Sequence, residues 1–212
     1  EMSERRFFTE LNKQLATRGI TDVLRKGFRY ISEIFDMYYP LPSELNPTAQ
    51  EMYAKNIFCV TRQLFYSKDN SNSIDVMVSL NGMPVMTIEL KNHYTGQTVE
   101  NAIKQYQTDR DANDPLLAPK RCAVHFAVDD DDIRMCTWLS GKNSWFLPFN
   151  KGVNGGAGNP INPHGVRTAY LWEDILKKEF LSGIIENYAQ VVKKKDEKTG
   201  KEKISVVWPR YH

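Results

Sequence analysis

Cysteine is scarce in this sequence: Cys59, Cys122 and Cys136 make an odd number, and no two of them stand in a C-x-x-C pair. That excludes a disulfide framework and a thiolate zinc site, so all three are expected to be buried free thiols. Long apolar runs are missing too. Nothing approaches the roughly 18 consecutive apolar residues of a membrane span, and the opening EMSERRFF has no apolar stretch of the signal-peptide kind. The expectation is a cytoplasmic chain without membrane contact. Charge of one sign is also lacking: 28 basic against 26 acidic residues leave a formal charge of +2, which neither demands nor forbids a nucleic-acid partner. The nucleotide-cradling pattern G-x-x-x-x-G-K-S/T is absent, since neither Gly141-Lys142 nor Gly200-Lys201 is followed by Ser or Thr. No nucleoside triphosphate site is written in these residues. What is present is an ordinary globular composition, 212 residues with 41% hydrophobic and 25% charged, enough to fold around its own core.

Phe7, Phe8, Leu11 and Leu15 fall on one helix face, and Gly19 marks a stop. From Ile20 to about Gln50 the pattern is mixed: Tyr30, Ile31, Ile34 and Phe35 look helical, while Pro40, Pro42 and Pro47 break any long helix. Stretches rich in β-branched and aromatic residues predict strands at Ile57–Tyr66, Ile74–Leu80, Val85–Lys91 and Cys122–Val128. Val99, Ala102, Ile103 and Tyr106 place a helix between the third and fourth strands. The order α, β, β, β, α, β defines an α/β class with a central mixed sheet flanked by helices. A further strand is expected through Met135 and Trp138, then the loop GVNGGAGNP, then a last helix over Leu171–Val192. KKKDEKTGKEK, residues 193–203, carries six lysines, three acids and no apolar side chain and reads as a charged linker. The division expected is therefore a domain over 1–192, the linker, and residues 204–212 as the start of a truncated following domain. The acidic run Asp129–Asp132 reads as a solvated turn, and His93 and His125 are assigned no chemistry.

Between the second and third strands, Asp75 points away from the face of Ile74, Val76, Val78 and Leu80, while Glu89 and Lys91 point away from that of Met86, Ile88 and Leu90. Whether the acids share a face depends on the turn Asn81-Gly82-Met83-Pro84. A three-residue loop sets Asp75 across from Glu89; a two-residue loop sets it across from Ile88. A shared face therefore requires either the longer loop or a bulge with the same effect. Two carboxylates about 5 Å apart repel each other unless a cation neutralises them. Mg²⁺ suits that place, with Asp75, Glu89 and the backbone carbonyl of Leu90 as the protein's oxygen ligands. Lys91 beside it is fitted to orient an attacking water and to offset charge building on a phosphate. That chemistry is phosphodiester hydrolysis.

The stretch SIDVMVSLNGMPVMTIELKN resembles the nuclease motif, of PD-(D/E)xK type, in the restriction (R) subunit of type I restriction-modification enzymes. The likeness continues through QYQTDRD, VHFAVDDDDIRMCTWLSG, WFLPFNKG, GGAGNP and YLWEDIL. It implies a restriction-endonuclease-like core, an endodeoxyribonuclease acting on double-stranded DNA, metal-binding acids at Asp75 and Glu89, and a catalytic lysine at Lys91. A further acid on the first helix best matches Glu4. On the helix after the E-x-K strand, Gln105 matches the family's DNA-positioning glutamine, but Asp109 stands where tyrosine is common, so that part of the motif is incomplete. The likeness also implies specificity and modification subunits as partners and an ATP-driven motor in another part of the protein, whose entry WPRYH resembles. Two rivals stand beside this reading: a DNA-binding or interaction module with a decayed site, against which the intact Asp75, Glu89 and Lys91 argue, and a stand-alone nuclease of the same fold.

Overall fold

The computed structural model describes residues 2–68, 70–195 and 202–211. Helices α1 (Met2–Arg18) and α2 (Ile20–Lys26) lead into a hairpin of β1 (Phe28–Tyr30) and β2 (Glu33–Phe35), followed by α3 (Pro47–Tyr53). Three strands come next: β3 (Phe58–Phe65), β4 (Ser73–Leu80) and β5 (Met83–Leu90). Then α4 (Val99–Lys104) runs into a π-helical turn, Gln105–Asp109, before β6 (Val124–Val128), β7 (Ile133–Cys136) and the short β8 (Leu147–Pro148). A second π turn (Leu171–Ile175), α5 (Lys178–Gly183), a third π turn (Ile184–Tyr188) and the hairpin of β9 (Gln190–Lys195) and β10 (Glu202–Val207) complete the described chain.

Strands β3 to β8 form one six-stranded sheet in chain order. Only β5 and β6 run parallel, and α4 is the crossover between them; the other neighbours are antiparallel. One face carries Val76, Val78, Met86, Ile88, Val124, Phe126 and Met135, which form the main core with Leu11 and Leu15 of α1, Val23 and Leu24 of α2 and Leu181 of α5. The other face is covered by α4 and its π turn, where Ala127 meets Val99 and Ala102. The expected α, β, β, β, α, β order is thus present, with helices on both faces.

Several boundaries differ from expectation. Tyr30 to Phe35 is a hairpin, not a helix: Ile31 adopts a positive φ of 58° at its turn, and Phe7, Phe28, Tyr30 and Phe35 cluster as rings. Four apolar residues in six positions fit either period, and the ring contacts decide it. Gly27 is required there, since a Cβ on it would lie 2.2 Å from the Phe35 carbonyl oxygen. The long last helix is broken into π turns around α5 and ends at Ala189, whose backbone is extended (φ −67°, ψ 122°); Val191 and Val192 then join a strand.

The charged segment does not behave as a linker where it is described. Lys193 pairs with Ile204 across the β9–β10 hairpin, and residues 196–201 lie outside the described residues. Nor do residues 204–211 stand apart from the domain: Val206 and Trp208 are buried in the main core, and Tyr211 packs against Phe149 and Tyr170. Burial of those two side chains draws the segment onto this core. Cys122 and Cys136 are buried, their thiols pushed up to about 12 and about 11 by that burial. Cys59 is exposed, contrary to expectation, because β3 is an edge strand whose outer side is uncovered. No helix among the described residues is long and apolar enough to cross a membrane.

His125 pins the second layer to the sheet. It pairs with Thr87 across the parallel ladder, its Nδ1 lies 2.7 Å from the Thr87 hydroxyl, and that hydroxyl lies 2.9 Å from the Tyr106 phenol. Burial drives its pKa down to about 3 from an ordinary 6.5, so the folded ring stays neutral where the unfolded one charges. Between those values the unfolded state holds more protons, and stability falls as pH falls, by about 1.4 kcal/mol per unit for this group. In NMR titration the His125 ring protons of the folded chain are expected not to shift down to pH 4; a midpoint near 6.5 would show that the ring is not locked.

Candidate active site

The geometry of the site begins at a turn. Asn81 and Gly82 both adopt positive φ, 52° and 80°, as a two-residue hairpin turn of primed type requires. Taken alone, that short loop would turn Asp75 away from Glu89. A bulge reverses it: Leu80 pairs with Met83 and Ser79 with Pro84, but Val78 pairs with Met86, leaving Val85 as the extra residue. Pro84, which has no N–H to donate, sits at this irregularity. Beyond the bulge Val76 faces Ile88, and the next position outward sets Asp75 opposite Glu89.

The regular β4–β5 pairing ends there. The Asp75 side chain takes over where the strand leaves off: its Oδ2 accepts the Leu90 backbone N–H at 2.8 Å, and its Oδ1 accepts a Gln63 amide N–H at 3.1 Å. Since the N–H and C=O of a strand residue project to one edge, the Leu90 carbonyl opens on the same side as Asp75. Glu89 is fully buried. Its Oε1 accepts the Arg110 Nε–H at 2.8 Å, and Arg110 also donates to the Ser73 carbonyl at 2.7 Å. Burial pushes the Glu89 carboxyl up to about 7; Arg110 opposes the shift and the charge of Asp75 adds to it. Glu89 Oε2 is buried with no hydrogen-bond partner among the described residues. Lys91 follows on the same face at half exposure, its N–H held by the Val128 carbonyl at 2.8 Å, and its ammonium makes no ion pair among the described residues.

The other sequence candidates are placed differently. Gln105 opens the π turn, and its amide oxygen is buried without a partner. Asp109 is exposed and accepts the Thr108 hydroxyl. Arg110 follows the π turn in extended backbone (φ −109°, ψ 126°), and its Nε–H is what reaches Glu89. Sequence reading missed Arg110, although it stands in QYQTDRD directly after Asp109. Glu4 lies in the exposed first turn of α1, a helix whose Leu11 and Leu15 pack on the opposite face of the sheet from Glu89.

The acidic run is spoken for locally. Asp129 accepts the N–H groups of Val99, Asp131 and Asp132; Asp130 pairs with His93, Asp131 with Arg167, and Asp132 with Arg134. Among the described residues no group of three or more His, Cys, Asp and Glu is placed to hold a metal ion. The oxygen donors that Asp75 and its neighbours would offer a cation are the Asp75 and Glu89 carboxylates and the Leu90 carbonyl. These fit Mg²⁺: all are oxygen donors, one is a buried oxygen lacking a partner, and the small number leaves room for water and a phosphate oxygen.

A mixed sheet between helical layers, with an acid on one strand and E-x-K on its neighbour, defines the restriction-endonuclease-like class. The chain belongs to the type I restriction enzyme R protein N-terminus family, whose model matches residues 3–144. Membership implies a nuclease-type role, and the matched stretch contains Asp75, Glu89, Lys91, Gln105 and Arg110. A comparison with curated proteins finds no match.

Proposed function

We propose that this domain is the Mg²⁺-dependent endodeoxyribonuclease of a type I restriction R subunit. It hydrolyses phosphodiester bonds of double-stranded DNA inside a cytoplasmic complex with specificity and modification subunits, and ATP is used by a motor in another part of that protein. The observation that carries this reading is the buried Glu89 Oε2 beside Asp75, which has no hydrogen-bond partner among the described residues, with Lys91, which makes no ion pair among them, next along the chain.

Asp75, Glu89 and the Leu90 carbonyl would hold Mg²⁺. When bound, the ion supplies Lewis acidity toward a phosphate oxygen and acidifies a water. The Lys91 ammonium orients the attacking water and balances negative charge growing on the phosphate. Arg110 works against the upward push of burial on Glu89 and holds its carboxylate in place, and the Leu90 N–H fixes the Asp75 carboxylate. Gln105 contacts the DNA and sets its register.

The test is the full R subunit in its assembled complex. Asp75→Asn is expected to remove cleavage while ATP hydrolysis and DNA binding stay near wild type; cleavage at the wild-type rate would overturn the reading. A second expectation separates this domain from a self-sufficient nuclease. With a formal charge of only +2 it offers few phosphate contacts, so the isolated chain with Mg²⁺ is expected to cut linear DNA weakly or not at all. Efficient ATP-independent cutting at low protein concentration would favour the stand-alone enzyme.

A further inference from the structure

Beside Lys91 the structure has a cleft of about 260 Å³ at the C-terminal ends of β5 and β6, the one parallel pair of the sheet. Its walls include Lys91 and Asn92 after β5, Asp129 and Asp130 after β6, and Trp172 from the second π turn. Trp172 is 39% exposed, although its neighbours Leu171 and Ile175 are almost completely buried and anchor the turn. The indole is therefore not what holds this segment down. Thr168 fastens the approach to the turn: its hydroxyl donates to the Asp129 carbonyl at 2.7 Å and its N–H to the Asp130 carbonyl at 3.3 Å. The result is a large aromatic side chain held on a fixed support, lining the same cleft as the lysine assigned to the chemical step.

We propose that this cleft is a nucleotide subsite, in which Trp172 stacks on an unpaired base next to the scissile phosphate. The inference rests on the nuclease reading and deepens it. A flat aromatic surface beside a cation is the combination that binds single-stranded nucleic acid, because every base has a π face and every linkage a charge. The acids in the wall are engaged by the protein: Asp129 accepts the backbone N–H groups of Val99, Asp131 and Asp132, and Asp130 bonds His93. The Lys91 ammonium makes no ion pair among the described residues and is the cation that the lining offers a phosphate. A cleft of about 260 Å³ has room for one base with part of its sugar. A strand whose base leaves the stack near the cut therefore gains a contact that intact duplex does not.

The experiment measures binding of the chain, in EDTA so that nothing is cut, to a short fluorescent duplex with one unpaired nucleotide and to the same duplex fully paired. Wild type is expected to favour the first. Trp172→Ala is expected to weaken that complex by about 5- to 100-fold, the range of one base-stacking contact, and to leave the paired duplex and the salt slope unchanged. Trp172→Phe should restore most of the loss, and Trp172→Leu, apolar but not aromatic, should not. Wild type without preference for the unpaired base, variants that bind like wild type, or equal weakening toward both duplexes would each overturn the subsite while leaving the nuclease reading intact. Failure of the wild-type chain to bind either DNA would likewise overturn the subsite, while the nuclease reading stands or falls on Asp75→Asn in the assembled complex.

Discussion

Lys91→Ala in the full-length R subunit is expected to lower DNA cleavage by about 10² to 10³, the usual cost of losing one electrostatic contact to a transition state, with assembly, DNA binding and ATP hydrolysis near wild type. The separation follows from where Lys91 sits. Its backbone N–H keeps the bond to Val128, and its side chain is half-exposed and makes no ion pair among the described residues, so truncation opens no cavity in the core. The ammonium matters where charge builds at the phosphate. Without it the repulsion between Asp75 and Glu89 is less screened, and metal affinity is expected to change but not vanish, since both carboxylates remain. Single-turnover cleavage and ATPase rates, measured side by side, decide the matter. A folded variant that cuts at the wild-type rate removes Lys91 from the chemistry; joint loss of cleavage and ATPase points to failed folding or assembly.

Arg110→Met is expected to destabilise the isolated chain by up to about 3–5 kcal/mol in EDTA, the range for breaking one side of a buried ion pair. Glu89 is fully buried, Arg110 Nε is its hydrogen-bond partner, and methionine keeps much of the volume without the charge. The loss has a pH sign. Glu89 already sits near 7 against an ordinary 4.5, so the folded state holds more protons in that interval and this group's contribution weakens as pH rises through it. Removing Arg110 removes the influence that lowers this pKa, and the window extends upward. Relative to wild type, the variant's deficit in urea unfolding is therefore expected to be small at pH 6 and large at pH 8.5. Glu89→Gln in the same background should recover much of the high-pH loss. A deficit independent of pH would mean that Arg110 acts through its bond to the Ser73 carbonyl and not through Glu89.

The pairing of Arg110 with Glu89 also explains how the fold accommodates a buried acid beside Asp75. Two neighbouring carboxylates, one of them inaccessible to water, are unfavourable alone. The guanidinium, the Leu90 N–H and the Gln63 amide offset part of that cost.

Much of the architecture was legible because strand periodicity is local. Ile74, Val76, Val78 and Leu80 alternate and are buried; in β5 Met86 and Ile88 are buried as the pattern expects, but so are Thr87 and Glu89 between them, because helices cover both faces. The crossover helix could be placed from Val99, Ala102 and Tyr106, which the structure buries. The E-x-K strand and its neighbouring acid are likewise a local pattern, and the family match covers that stretch. The hairpin at Tyr30–Phe35 was not legible, because two short strands held by distant rings look like one helical turn. The terminal segment misled for a related reason: lysine-rich composition says nothing of Trp208, which enters a core built largely by residues far earlier in the chain.

By itself, then, the sequence determined the α/β order, the residue types of the site and the family. Only the tertiary structure decided that Asp75 and Glu89 face each other. A two-residue turn and a one-residue bulge each shift the register, and together they restore it. The site's counter-charge was decided at the same level. Arg110 is set against Glu89 by the extended backbone that follows the π turn after α4, and that placement cannot be read from a helical period. Both outcomes depend on how backbone groups pair across space, which side-chain order along the chain does not encode one residue at a time.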